Sequence, residues 1–263
     1  MLRGRLGVLV TTLALLGSGI FAPGTIALGA VAPAMAAGRE LPAYLSLDSA
    51  VKQLVTVTSG RWSDTSAQMR VWRKRPGGWN LVRGPVRVSL GWNGWVSAPK
   101  RRQSTGTTPA GRFSMRYAFG TRPDPGTELD YRHVDANDYW PYEPRDPATY
   151  NIYQPHKAST TRWRSDYVER LADYHDEYAY SVVLGYNMPG GVHWSSARKQ
   201  WVASRPADTD RGGGIFLHVR KNRYTAGCVS GPVMHVRAIV RWLDPDLEPR
   251  IVMGPRAWVK RRF

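Results

Sequence analysis

The chain has 263 residues, of which 42% are hydrophobic and 22% are charged, a balance typical of a globular protein rather than a disordered or fibrous one. Its 37 Lys and Arg residues against 20 Asp and Glu residues give a formal net charge of +17. Cys228 is the one cysteine, which excludes an internal disulfide framework and any Cys-rich metal site.

The first 36 residues have the layout of a secretory signal peptide. Arg3 and Arg5 precede a long uncharged apolar run, and the Ala-Met-Ala sequence at 34–36 supplies the small residues of a cleavage site. An uncleaved anchor is the alternative, and Pro23 disfavours it because proline breaks the apolar run. We therefore expect an exported protein, secreted or at the cell wall, with no stable membrane span after signal cleavage.

The rest of the chain is predicted to hold a short leader over residues 37–52 and a single domain over 53–263. Alternating or β-branched runs predict strands at residues 53–58, 68–73, 79–82, 85–90, 112–117, 180–184, 214–219 and 250–253. Capping residues and apolar spacing predict helices over 166–178 and 232–243. A long irregular excursion over 121–160 and a Gly-rich loop over 187–213 separate them. This pattern indicates a mainly β fold, a sandwich or barrel with one or two packed helices.

One cysteine and one histidine form the strongest candidate for chemistry. Cys228 lies in the run T-A-G-C-V, ten residues after His218. Gly227 permits a sharp turn before the sulfur, and the positive end of the following helix would lower the thiol pKa. The turn would offer N–H groups to an oxyanion, and the imidazole would act as general base and then general acid. The alternative is a buried structural cysteine beside an unrelated histidine.

Several stretches of the chain, in order, resemble the YkuD-type L,D-transpeptidases, the cysteine enzymes of peptidoglycan cross-linking. They are TTPAGRF at 107–113, NDYW at 137–140, YN at 150–151 and again at 186–187, GIFLH at 214–218 and TAGCV at 225–229. The resemblance covers residues 53–254 and implies an L,D-transpeptidase-like fold. It also implies that Cys228 is the nucleophile and that His218 is the base, held by a backbone carbonyl or a hydroxyl. The N–H groups of Gly227 and Cys228 would then line the oxyanion hole.

The implied reaction is acyl transfer on peptidoglycan stem peptides. The thiolate attacks a diamino-acid carbonyl in a tetrapeptide stem, releases D-Ala, and passes the thioester to an amine of a neighbouring stem. Water as acceptor would make the protein an L,D-carboxypeptidase, and neither reaction needs a metal or organic cofactor. Ala226 and Ser230 depart from the main family pattern. These departures leave open a non-catalytic cell-wall-binding module with the same fold.

Five further residues are candidates for substrate contact. Tyr139 and Trp140 are loop aromatics that would line a groove, with core packing as the alternative. His193 is a candidate base or substrate contact, or else an ordinary loop histidine. Thr225 and Ser230 flank the cysteine and would hydrogen-bond beside it, with ordinary capping as the alternative.

The net charge has two interpretations. It suits retention on anionic cell-wall polymers, or it reflects the base composition of the genome. Export and dispersed arginines argue against nucleic acid as the partner. We expect a monomer.

Overall fold

A computed structural model describes residues 40–155 and 158–263, so the predicted signal peptide lies outside the described residues. The strands are, in chain order, β1 (Gln53–Ser59), β2 (Ser66–Arg75), β3 (Gly78–Ser89), β4 (Trp95–Ser97), β5 (Thr108–Gly120), β6 (Tyr131–His133), β7 (Tyr139–Pro141), β8 (Val168–Arg170), β9 (Ser181–Leu184), β10 (Gly190–Ser195), β11 (Gln200–Arg205), β12 (Phe216–Val219), β13 (Val229–Gly231) and β14 (Arg250–Pro255). The helices are α1 (Val233–Trp242) and α2 (Arg256–Arg262), with 3-10 turns at Leu41–Tyr44, Ala98–Lys100, Ser165–Tyr167, Leu171–Tyr174 and Pro245–Leu247.

Eight of these strands close into a barrel in the order β14-β1-β2-β3-β13-β12-β9-β5, and the ring closes because β5 also pairs with β14. The β1–β14 and β12–β13 pairs are parallel, whereas the other neighbours in the ring are antiparallel. Closure leaves no unpaired edge in the ring. The prediction of a mainly β fold with one or two packed helices is confirmed, in the form of a barrel with two helices.

The barrel interior follows from the alternation of side chains along the strands. Val55 and Val57 belong to the interior cluster, whereas Leu54, the residue before Val55, belongs to a different, outer cluster. The predicted C-terminal helix is present as α1, whose Ile239 and Val240 are fully buried in the interior cluster. The apolar face of this helix therefore packs against the interior cluster, as its sequence spacing predicts.

Two outer layers cover the barrel wall. On one side, Leu54 of the wall packs against Leu41 of the first 3-10 turn and against Val259 of α2. The segment at residues 41–44, which the sequence predicts to be part of a leader, therefore packs onto the barrel. On the other side, Trp140 and Leu171 from the excursion and its continuation pack against Phe216 of β12. This second outer layer covers the part of the barrel wall that carries the candidate site residues.

The prediction of a helix over residues 166–178 is wrong. Val168, Glu169 and Arg170 form β8, which pairs with β7, and a 3-10 turn follows at Leu171–Tyr174. The backbone hydrogen bonds of this segment go to a neighbouring strand, so a tertiary pairing overrides the local capping signal. The Gly-rich loop over 187–213 likewise contains the β10–β11 hairpin.

Candidate active site

Cys228 and His218 lie on the same face of the β12–β13 pair. In this parallel pair Leu217 is opposite Val229, and His218 is opposite Ser230. Leu217 and Val229 point into the barrel core, so the alternate residues of both strands point outward. Because Cys228 directly precedes Val229, its side chain shares the outward face with that of His218. Strand alternation thus accounts for the juxtaposition that the sequence predicts.

The outward face opens into a cavity of about 360 Å³ between the barrel wall and the second outer layer. The predicted residues Cys228, His218, Gly227, Thr225 and Ser230 all line this cavity, which we call the cleft. Its other walls come from sequence-distant segments, among them Trp92, Arg101, Tyr142, Glu169 and Tyr178.

Three of the predicted substrate contacts do not line the cleft. Trp140 has no exposed surface, packs against Phe216 with ring centroids 4.7 Å apart, and is a core residue. Tyr139 packs against Trp163 with ring centroids 6.1 Å apart. His193 is exposed on the β10–β11 hairpin, with Nδ1 3.1 Å from the carbonyl oxygen of Gly191. The core-packing and ordinary-loop alternatives fit these three residues better.

The Cys228 thiol is held by two backbone groups. Its Sγ donates to the carbonyl of Gly214 at 3.2 Å and accepts from the N–H of Phe216 at 3.4 Å. Burial raises the pKa of the thiol to about 12; the N–H of Phe216 and the charge of Arg101 act in the opposite direction, whereas the charge of Glu169 adds to the rise. The predicted lowering of this pKa by a helix N-terminus is wrong, because β13 and Pro232 separate the thiol from α1.

Gly227 supplies a backbone shape that other residues resist. Its φ is +147°, and a Cβ there would lie 2.9 Å from the carbonyl oxygen of Thr107. The Gly227 N–H donates to the hydroxyl of Thr225 at 3.1 Å, and this hydroxyl donates to the carbonyl of Cys228 at 2.7 Å. Thr225 therefore fixes the turn before the cysteine. The Gly227 N–H is engaged here, which contradicts its assignment to an open oxyanion hole.

His218 is buried and neutral. Its Nδ1 lies 2.9 Å from the carbonyl of Val219, and since a carbonyl only accepts, Nδ1 carries the proton and Nε2 the lone pair. The expected backbone carbonyl that holds this histidine is thus present. Burial lowers the pKa of His218 to about 4, against the opposing effect of the carbonyls of Val219 and Glu177 and the charge of Glu177. The ring of Tyr178 packs edge-on at 5.5 Å.

A carboxyl group that the sequence did not single out lies in the same cleft. Glu169 accepts a hydrogen bond from the Tyr178 hydroxyl at 2.7 Å and another from Tyr142. Burial raises the pKa of Glu169, and the two phenols oppose that rise. The residue was missed because its segment was predicted as a helix, and no sequence signal places it beside Cys228.

Asn151 holds in place the backbone at Gly214, which contacts the Cys228 thiol. Its Oδ1 accepts from the N–H of Gly214 at 2.7 Å and from Nε1 of Trp140 at 3.0 Å, and its Nδ2 donates to the carbonyl of Asn187 at 2.7 Å. Gly214 in turn offers its carbonyl to Cys228. Asn151 is a positioning residue, and its signal in the sequence was the first of the two YN pairs.

Comparison with known proteins finds no matching family model, no matching curated protein and no matching solved structure. The resemblance to the L,D-transpeptidases therefore stays a prediction. Across residues 40–155 and 158–263, no group of three or more His, Cys, Asp or Glu side chains is arranged to hold a metal ion. In the same part of the chain, no helix has the length and apolar character needed to cross a membrane.

Proposed function

We propose that this protein is an exported cysteine acyltransferase that acts on peptidoglycan stem peptides by L,D-transpeptidation. The observation that carries the proposal is that Cys228 and His218 share the outward face of β12 and β13 and line one cleft. The neutral imidazole supports it further, because His218 has a lone pair on Nε2 to accept a proton. The proposed activity and substrate class rest on the motif resemblance together with the placement of Cys228 beside His218.

In the proposed first half-reaction, Sγ of Cys228 attacks the carbonyl carbon of the diamino-acid residue while the thiol proton passes to Nε2 of His218. The carbon–sulfur bond forms, and the carbonyl oxygen becomes an oxyanion. The tetrahedral intermediate then collapses, the C–N bond breaks, and the imidazolium returns its proton to the departing amine of D-Ala. The nearby negative charge of Glu177 stabilises this imidazolium, since it raises the pKa of His218.

In the proposed second half-reaction, an amine of a neighbouring stem attacks the thioester and His218 removes its proton. The carbon–sulfur bond breaks, and the thiol is restored with that proton. Water in place of the amine would make the protein an L,D-carboxypeptidase.

A second candidate function is a wall-binding module without turnover. One observation favours it: the raised pKa of the Cys228 thiol leaves almost no thiolate at neutral pH. The two candidates differ in one step: whether the thiol proton passes to His218 when Cys228 attacks a substrate carbonyl. Only the acyltransferase forms a covalent thioester intermediate, so detection of that intermediate distinguishes the two candidates.

The deciding experiment is intact mass spectrometry of the purified protein after incubation with muropeptides that carry tetrapeptide stems. We expect the wild type to gain the mass of one stem minus D-Ala, and Cys228→Ala to gain nothing. His193→Ala is the matched control and should form the adduct, because His193 is exposed on β10 and does not line the cleft. An adduct that persists in Cys228→Ala would refute the nucleophile. No adduct on the wild type would favour the wall-binding module.

A further inference from the structure

Arg101 is a buried cation beside the candidate nucleophile. Its side chain is part of the cleft lining, and the residue is only 4% exposed. Among the described residues, no carboxylate lies within ion-pair distance of its guanidinium. Buried charges are normally paired because removal from water is costly. An unpaired guanidinium in a cleft therefore points to an anion that arrives with a ligand.

The guanidinium is held in place by backbone groups on two of its three nitrogens. Nε donates to the carbonyl of Thr107 at 2.9 Å, and Nη1 donates to the carbonyl of Arg211 at 2.8 Å. The ring of Tyr186 lies under the guanidinium at 5.6 Å. These contacts fix the orientation of the group without neutralising its charge. Such an immobile donor is suited to a ligand, because little side-chain entropy is lost on binding.

Two glycines make room for this guanidinium. A Cβ at Gly212 would collide with Nη1, and a Cβ at Gly227 would lie 2.9 Å from Nη2. Both glycines have a positive φ, and Gly227 is bonded directly to Cys228. The Tyr186 side chain is a further hydrogen-bond partner of the guanidinium. The remaining nitrogen, Nη2, lies beside the turn that carries the thiol.

We propose that Arg101 is the anion-binding group of the cleft and that it takes a carboxylate of a ligand whose reacting carbon faces Cys228. The charge of Arg101 reaches the sulfur, since it contributes to the thiol pKa. If the cleft acts on stem peptides, a step that rests on the proposed function, this carboxylate is the free C-terminus next to the scissile bond. Arg101 then distinguishes stems that end in a carboxylate from stems that continue or are amidated.

The test compares two alkylating reagents of nearly equal size, iodoacetate and iodoacetamide, on the full protein at pH 9. Both form a carbon–sulfur bond at Cys228 and release iodide, but only iodoacetate carries a carboxylate. We expect the ratio of their rates to be about 10-fold higher in the folded wild type than in the urea-unfolded protein, a typical value for one charge-assisted hydrogen bond. Acetate, but not acetamide, should compete with iodoacetate.

Variants assign the effect to one side chain. Arg101→Met should bring the ratio down to that of the unfolded chain, and Arg101→Lys should retain part of the preference because it keeps the charge. Arg102→Met is the matched control: it removes the same charge from an exposed neighbour outside the cleft and should leave the ratio unchanged. Lys221→Met tests the second cation of the cleft lining and should also leave it unchanged.

Three results would overturn the proposal: a wild-type ratio equal to that of the unfolded chain, a ratio that falls with Lys221→Met and persists in Arg101→Met, or alkylation of the folded protein by iodoacetamide with none by iodoacetate. The last result would mean that a carboxylate cannot reach the space beside Cys228. If the buried thiol reacts with neither reagent, acetate should raise the thermal midpoint of the wild type but not that of Arg101→Met, and equal midpoints would overturn the proposal. If Arg101→Met does not fold, competition by acetate in the wild type decides the question. Alkylation does not require acyl transfer, so the anion site and the proposed function can fail independently.

Discussion

His218 should make the stability of the protein depend on pH between neutral and acid, and the substitution His218→Gln should remove that dependence. The histidine is 7% exposed, and burial lowers its folded pKa to about 4 from an ordinary value of 6.5. Between these two values the unfolded chain binds a proton that the folded protein does not. The contribution of His218 to the free energy of unfolding is therefore fully present above pH 6.5 and is lost as the pH falls towards 4.

The size of the effect follows from the two pKa values. The difference between a folded value of about 4 and an unfolded value of 6.5 corresponds to about 3 kcal/mol, at 1.36 kcal/mol for each pKa unit. Glu169 contributes with the opposite sign, because its raised pKa lets the folded state bind a proton above the ordinary value of 4.5. Glu143, whose pKa is lowered to about 2 chiefly by Arg164, costs stability only below pH 4.5. Both contributions cancel when wild type and variant are compared.

The assay is urea unfolding followed by tryptophan fluorescence at pH 7, 5.5 and 4. We expect the wild type to lose about 3 kcal/mol more than His218→Gln between pH 7 and pH 4. His133→Gln, at an exposed position of β6, is the matched control and should follow the wild type. Parallel curves for wild type and His218→Gln would refute a buried neutral imidazole. A wild type that gains stability relative to the variant on acidification would instead indicate an imidazolium paired with a thiolate.

Two further predictions concern residues around the cleft. Trp140→Ala should cost about 3–5 kcal/mol of unfolding free energy, because it empties a fully buried core position and removes the hydrogen bond to Asn151; unchanged urea unfolding would mean that Trp140 is not a core residue. Gly227→Ala should lower the thermal midpoint more than Gly126→Ala does, since both glycines have a positive φ but only Gly227 would bring a Cβ against the carbonyl of Thr107. Equal midpoints by calorimetry would show that crowding at Gly227 has no effect.

Local sequence patterns contained the central pair of the candidate site. The alternation of residues 214–219 predicts the strand that carries His218, and the run at 225–229 singles out Cys228. The short strand β13, whose pairing with β12 brings the two residues to one face, was not predicted. Strand periodicity is a property of consecutive residues, so it can be read without knowledge of the rest of the chain. The same holds for the helix predicted over 232–243 from the spacing of its apolar residues Val233, Val236, Val240 and Leu243, although Val233 is 43% exposed.

Local patterns failed where a second segment determines the conformation. Residues 166–178 carry a capping signal for a helix, but Val168–Arg170 pairs with β7 and thereby turns Glu169 into the cleft. Tyr139 and Trp140 are loop aromatics in the sequence, and only the packing of Phe216 beneath the excursion makes Trp140 a core residue. Exposure is a property of the assembled layers rather than of the segment.

The mainly β class, the glycine before the cysteine and the strand that carries His218 all follow from patterns among consecutive residues. Tertiary structure alone decided the electrostatic environment of the cleft. Arg101 lies more than one hundred residues before Cys228 in the chain, and the excursion that buries the thiol comes between them. Burial reverses the pKa shift that the expected helix N-terminus predicts, because desolvation depends on every layer above the thiol. Such long-range arrangements leave no periodic pattern in the sequence.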